Sequence, residues 1–453
     1  MTYNNKEELL HFIWESRLYP PDSLETTDGR KIEVLHPGMR HSQAGRGYLN
    51  AKIRIGDRLL TGDVEIHPAS VHPEEREHYT DRDCSAVILY LSGCANGTEV
   101  YGTEEYIPLC ELPVPDVIRK NVEYLTLSHN TLPCREHLPV LPPVYIRLFL
   151  SALTVERLER KVNDIYARLD HFRHSWDDVF YVLLARNFGF GLNGDAFEQL
   201  ALSLPLSHIR RHGDSLFQVE ALLFGQAGLL EDAELPAPEA PGTKDHRETP
   251  ERKAADDYYL YLQQEYRFLK NKYALTPLDA RLFRRIKVRP RSCPEIRIAQ
   301  LAVLLQSSSG QLFSAVLAQE KVDAWMSLFR ISPSVYWHTH CTFGERSPES
   351  DGRLGDASLQ ILLINTVTPI LFAYGRKTGD ADCCDRAVRL LESLNPERNV
   401  IVSDFRKAGV IARNAFDTQA LIQLRRAYCN PRKCLSCRIG YKLLASESEY
   451  LDS

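Results

Sequence analysis

Asn50-Ala51-Lys52-Ile53-Arg54-Ile55-Gly56-Asp57-Arg58-Leu59-Leu60-Thr61-Gly62-Asp63-Val64-Glu65-Ile66-His67 is the stretch on which the fold class turns. Ala51, Ile53 and Ile55 alternate with Lys52 and Arg54, Gly56-Asp57 is a turn, and Leu59 to His67 forms a second run. Side chains of a strand alternate between two faces, so the segment predicts a hairpin with one apolar and one polar side. Outward from it, Lys6 to Tyr19 sets Leu9, Leu10, Ile13, Trp14 and Leu18 at helical spacing, and Lys31 to Leu35 is extended up to the Pro37-Gly38 turn. Ser85 to Leu91 is almost wholly apolar, as suits a central strand. Helix, three strands, a polar excursion and a further strand define an α/β sandwich.

From residue 144 the period becomes helical: Val155, Leu158, Val162, Ile165 and Leu169 recur at three- and four-residue steps. Helices are predicted over Trp176–Phe188, Ala196–Ser203, Phe217–Gly225, Asp257–Tyr273, Pro294–Gln306, Leu312–Ala318, Ser358–Tyr374 and Ala415–Tyr428. The expected class is α+β: an α/β domain over 1–120, a helical domain over 144–230, an acidic, Pro-rich linker over 231–251, and a basic helical domain over 252–453 ending in a cysteine cluster.

The 453 residues are 44% hydrophobic and 25% charged, which excludes a disordered chain, a collagen-like repeat and a highly basic DNA-coating protein. The net charge of −5 averages two unlike parts, −13 over residues 1–250 and +8 over residues 251–453. Met1 to Trp14 has no apolar core of signal-peptide length. Ile361 to Tyr374, broken by Asn365, Thr366, Thr368 and Pro369, is too short to span a bilayer. The expectation is a cytoplasmic protein with no membrane partner. Eleven cysteines are an odd number for a disulfide framework, so most should be reduced, and Cys84 and Cys110 read as small core residues.

Three constellations carry chemistry. On the second strand of the hairpin, Asp63, Glu65 and His67 share one face, and Glu65 and His67 are neighbours able to share a divalent ion; His72, His78 and Asp81 follow in the polar excursion. Arg281 to Arg291 holds six cations in eleven residues; Arg284, Arg285, Lys287 and Arg289 form a stripe suited to a phosphate backbone, or a solvated helix end facing the acidic half. Tyr336-Trp337-His338-Thr339-His340 could stack a base, bind metal or form a packed corner. Cys429, Cys434 and Cys437 have the spacing C-x4-C-x2-C, which can wrap zinc or an iron–sulfur cluster through a tight turn. Either needs a fourth ligand, for which His338, His340, Cys341, Cys383, Cys384 and Cys293 are candidates.

The N-terminal region resembles the PD-(D/E)xK nucleases, in which an αβββαβ element carries Glu-x-Lys on its third strand and an acid near the start of the second. That resemblance implies magnesium or manganese held by carboxylates, with the ion activating water at a phosphate. Here His67 occupies the lysine position, and Ala44-Gly45-Arg46-Gly47-Tyr48-Leu49-Asn50 offers no carboxylate, leaving Asp63 or Glu33 as substitutes.

Ordered blocks along nearly the whole chain further resemble a family of bacterial proteins known as domain of unknown function 2851. They include Leu9-Leu10-His11-Phe12-Ile13-Trp14, Gly62 to His67, Arg157-Leu158-Glu159-Arg160-Lys161, Glu220 to Gly228, Arg297 to Ala302, Ile364-Asn365-Thr366 and Cys434-Leu435-Ser436-Cys437. In the family pattern Gly-Pro-Asp-Phe stands where this chain has Gly45-Arg46-Gly47-Tyr48, which places the lost acid at Gly47. The three-cysteine ending also matches that pattern. The resulting expectation is nucleic-acid processing or binding through a degenerate metal-dependent site. The other reading is a non-catalytic scaffold with a structural metal, docking a protein partner that the residues do not specify.

Overall fold

The computed structural model describes residues 3–20, 22–40, 47–67, 87–93, 100–101, 106–230, 257–285, 292–308 and 310–445. The chain is mixed α+β and mostly helical, with one curled sheet in its N-terminal part. It divides into two compact units, one of residues 1–150, 399–411 and 421–453, the other of residues 151–398 and 412–420.

The first unit opens with helix α1 (Tyr3–Ser16), followed by strands β1 (Ile32–His36), β2 (Met39–Arg40), β3 (Gly47–Ile55), β4 (Arg58–His67) and β5 (Val87–Ser92). Short strands β6 (Val100–Tyr101) and β7 (Tyr106–Ile107) pair with each other, and β8 (Leu109–Glu111) precedes helix α2 (Asp116–Leu127). The main sheet runs β1-β3-β4-β5-β8, with β2 paired to β3. The β3–β4 hairpin is antiparallel, whereas β5 lies parallel to β4 and β8 parallel to β5. Ala51, Ile53, Val64, Ile66, Leu89 and Leu91 are fully buried in one core with Leu9, Leu10, Ile13 and Trp14 of α1. Each buried CH2 contributes about 0.8 kcal/mol, so this face holds the sheet in register. The Trp14 indole donates to the Pro37 carbonyl at 3.0 Å and the Tyr48 hydroxyl to the His11 carbonyl at 3.1 Å, tying the helix to the sheet. Burial, helped by nearby Arg40 and His67, pushes the His11 imidazole down to about 4.

The second unit is mostly helical around one large core, with one short hairpin of His340–Thr342 and Glu345–Arg346. Trp176–Phe188 and Asp257–Tyr273 form over the predicted residues, the former started by Ser175, whose hydroxyl accepts from the Asp178 amide. The predicted helix over Ser358–Tyr374 is longer and interrupted: Asp356–Leu362, a π-helical turn at Leu363–Val367, then Thr368–Thr378, ended by left-handed Gly379. The helix is longer than the apolar stretch Ile361 to Tyr374: its 23 residues are long and apolar enough to cross a membrane, a test that buried core helices also pass, and 67% of its most apolar window is buried inside the protein.

Tyr336 to His340 forms a packed corner. Tyr336 stacks between Tyr258 and His340, with centroids at 4.3 and 4.1 Å, and Trp337 is wholly buried. Inside this corner Glu220 accepts hydrogen bonds from the Tyr258 hydroxyl (2.5 Å) and the Ser334 hydroxyl (2.8 Å). Burial nevertheless pushes its carboxyl up to about 7 from an ordinary 4.5. Between those pH values the unfolded chain has released a proton that the folded chain keeps, so stability falls as pH rises through this window and stays lower above it. The shift corresponds to about 3 kcal/mol. Urea titrations at pH 5 and pH 8 should show Glu220→Gln with a flatter pH dependence than wild type; an unchanged slope would remove Glu220 as its source.

Candidate functional site

Because Val64 and Ile66 face the core, Asp63, Glu65 and His67 project together from the opposite side of β4, as the two-residue period predicted. His67 Nε2 lies 3.3 Å from Glu65 Oε2, and the two side chains are 12% and 25% exposed. This is a half-sheltered pair, neither sealed in the core nor displayed in open solvent. The His67 ring lies 5.9 Å from that of Tyr90 on β5. Strand register extends the row: His67 pairs with Ser92, and Ser92 with Glu111 on β8. Glu111 therefore stands two strands from His67, about 10 Å at ordinary strand spacing. The sequence reading missed it because β8 is only three residues long and carries no alternation to betray its face.

Asp63 has a different task. Its Oδ1 accepts from the Asn50 amide at 3.0 Å, and Asn50, at φ +57°, sits in the irregularity of β3 between Tyr48 and Ala51. Asp63 thus holds a bulge, a role its polar residue type permits but its spacing does not announce. Glu33 is exposed and ion-paired with Arg54, its register partner at the other end of β3. His72, His78, Asp81 and Cys84 lie outside the described residues.

Gly47 is the register partner of Glu65. A Cβ there would stand 2.5 Å from the Val64 carbonyl oxygen. The two strands approach more closely than any side-chain-bearing residue allows, so a side chain at residue 47 requires them to part.

The basic segment is differently placed from the helix end expected. Ala280–Leu282 is a single 3-10 turn, and Asn193 pins the backbone of Arg284 in both directions, accepting from its amide at 2.7 Å and donating to its carbonyl at 3.0 Å. The Arg284 side chain is left exposed on an anchored backbone. Arg285 Nε donates at 2.8 Å to the buried Glu295 carboxylate. Lys287, Arg289 and Arg291 lie outside the described residues, as does the linker over 231–251.

In the second unit the π-helical turn borders a pocket where Lys161, Asp164, Arg168, Arg186, Asn187 and Asn365 line the wall together with Ile165, Leu183 and Pro369. Lys161 Nζ donates to Asn365 Oδ1 at 3.1 Å, while Arg168 and Arg186 ion-pair with Glu198. Two of the sequence blocks, Arg157–Lys161 and Ile364–Thr366, meet here.

Cys429, Cys434 and Cys437 lie in the first unit, whereas the six fourth-ligand candidates belong to the second. Cys134, on the turn after α2, is the additional thiol in their neighbourhood: its charge would interact with those of Cys437 and Cys434, and that of Cys429 with all three. Burial pushes the Cys134 thiol up to about 12 and Cys434 up to about 11, and raises Cys429 and Cys437 as well. Among the described residues no group of three or more His, Cys, Asp and Glu side chains is already arranged to hold a metal ion.

The fold and this face define a mixed α+β protein with a carboxylate–histidine pair on a half-buried sheet surface. The chain belongs to the family described as "Protein of unknown function (DUF2851)", whose model matches residues 7–400. No curated protein and no solved structure matches the chain.

Gly47→Ala should lower stability by about 1–3 kcal/mol, the usual cost of overpacking, read from the urea midpoint. An unchanged midpoint would show that β3 and β4 are further apart than described.

Proposed function

We propose that the protein binds and processes nucleic acid at the Asp63–Glu65–His67 face of a degenerate PD-(D/E)xK-like domain. The observation that carries this reading is the Glu65–His67 pair at 3.3 Å on the third long strand of the sheet, with Gly47 directly across from Glu65. The order of α1, the antiparallel strands β1, β3 and β4, and a parallel β5 supports it. Glu65 would contribute an oxygen ligand to magnesium or manganese, hard cations that prefer such donors. His67, in the lysine position, would contact the phosphate or orient Glu65. Arg284, Arg285, Lys287 and Arg289 would hold the backbone, a contact that weakens with salt.

The engagement of Asp63 with the Asn50 amide favours a second reading, in which the face is a remnant and the protein is a non-catalytic scaffold. Binding and cleavage of labelled DNA and RNA in manganese separate the two. The nuclease-like reading expects Glu65→Ala to reduce manganese-dependent binding or cleavage at least tenfold. Equal values for wild type and Glu65→Ala would overturn it and leave the scaffold.

A further inference from the structure

The C-terminal cysteine segment is built as a sequence of tight turns. Asn430 N donates to the Arg425 carbonyl (2.8 Å), Lys433 N to Tyr428 (2.9 Å) and Cys437 N to Cys434 (3.3 Å), after which helix Arg438–Leu444 begins. A Cβ on Gly440 would stand 2.0 Å from the Cys434 carbonyl oxygen, so the first turn of that helix rests directly on the cysteine loop. Arg432 adopts a left-handed backbone, φ +58°, within these turns.

A second loop meets this one. Cys134 is held in its own turn, its carbonyl accepting from the His137 and Leu138 amides at 3.1 Å each. Arg432 Nη2 donates to the Ser128 carbonyl at 2.7 Å, fastening the segment after α2 to the cysteine loop. Arg432 Nη1 is buried and has no hydrogen-bond partner among the described residues. Cys134, Cys434 and Leu435 each pack against the core of the first unit, and Cys429 and Cys437 are buried.

We infer that Cys134, Cys429, Cys434 and Cys437 form a four-thiolate site for one soft metal centre, a zinc ion or an iron–sulfur cluster. Four sulfurs are the full complement either centre requires, and the C-x4-C-x2-C turns supply three of them from one short segment. Cys134 supplies the fourth from a segment already tied to the loop by Arg432. On binding, the four thiols turn onto a common point and release their protons to solvent as the cation takes their place. The unpaired Arg432 Nη1 then has an acceptor in the sulfur shell. The site is structural: it joins the end of the chain to the turn after α2, within one unit and independently of the Glu65 face.

Metal analysis of the full chain, purified without oxygen, is the first measurement. About one zinc per chain, or iron with matching acid-labile sulfide and a visible chromophore, is expected, and the two results tell the ion from the cluster. Absence of both metals overturns the site. Cys134→Ser should lose at least nine-tenths of the metal, whereas Cys384→Ser should keep it; metal retained in Cys134→Ser removes that residue from the set. A folding failure of the variant is bypassed in wild type by alkylation followed by mass spectrometry. Chelation should expose Cys134, Cys429, Cys434 and Cys437 together, and a Cys134 labelling rate indifferent to the metal, or two disulfides among the four, overturns the assignment.

Discussion

The burial of Val64 and Ile66 against α1 is the constraint from which the candidate site follows. A strand has two faces, and a slip of one residue would exchange them, bringing Asp63, Glu65 and His67 into a core of Leu9, Ile13 and Trp14. Burying a carboxylate there without a partner costs far more than the hydrophobic contacts return. The register of β4 is therefore fixed from its apolar side, and the proximity of Glu65 to His67 is a by-product of that choice. The bulge in β3 depends on the same register, because the Asp63 carboxylate reaches the Asn50 amide only from the polar face.

The parts legible in the sequence were those written in local period. Trp176–Phe188 and Asp257–Tyr273 appear with their predicted limits, and the hairpin from residue 50 to residue 67 is present with its faces as read. The π-helical turn at Leu363–Val367 was invisible because one wider turn scarcely disturbs an apolar pattern spanning several turns. Helix α2 escaped for another reason: its buried face includes Asn121 while Val117, Tyr124 and Leu127 are exposed, which blurs the apolar stripe of Ile118, Val122 and Leu125. In the candidate site, the shared face of Glu65 and His67 could be read directly. The use of Asp63 on a bulge, the pairing of Arg285 with Glu295 and the approach of Cys134 to Cys429 could not, since each depends on where separate segments meet.

The charge split also changes meaning once side chains have positions. The basic part counts Arg297, buried over the Phe190 ring at 4.2 Å and pushed down to about 10 by that burial. It counts Arg386, whose guanidinium donates to the carbonyls of Leu317 and Gln319 at 2.7 and 2.9 Å, and Arg413, which pairs with Asp417. Arg297 and Arg386 are buried against a ring and backbone carbonyls, and the exposed Arg413 is already paired with a buried carboxylate. The net charge of that part thus overstates the surface it could offer, and Arg284, exposed on its pinned backbone, is of more use than the arithmetic alone.

The contact between Gly47 and the Val64 carbonyl limits what the sheet can accept. A glycine usually leaves room in which a side chain can be accommodated, so its replacement is readily tolerated. Here the neighbouring backbone occupies that room. No single substitution can place a carboxylate at residue 47 without first moving β4. A second carboxylate on this face is therefore accommodated at other positions of the sheet more readily than at residue 47.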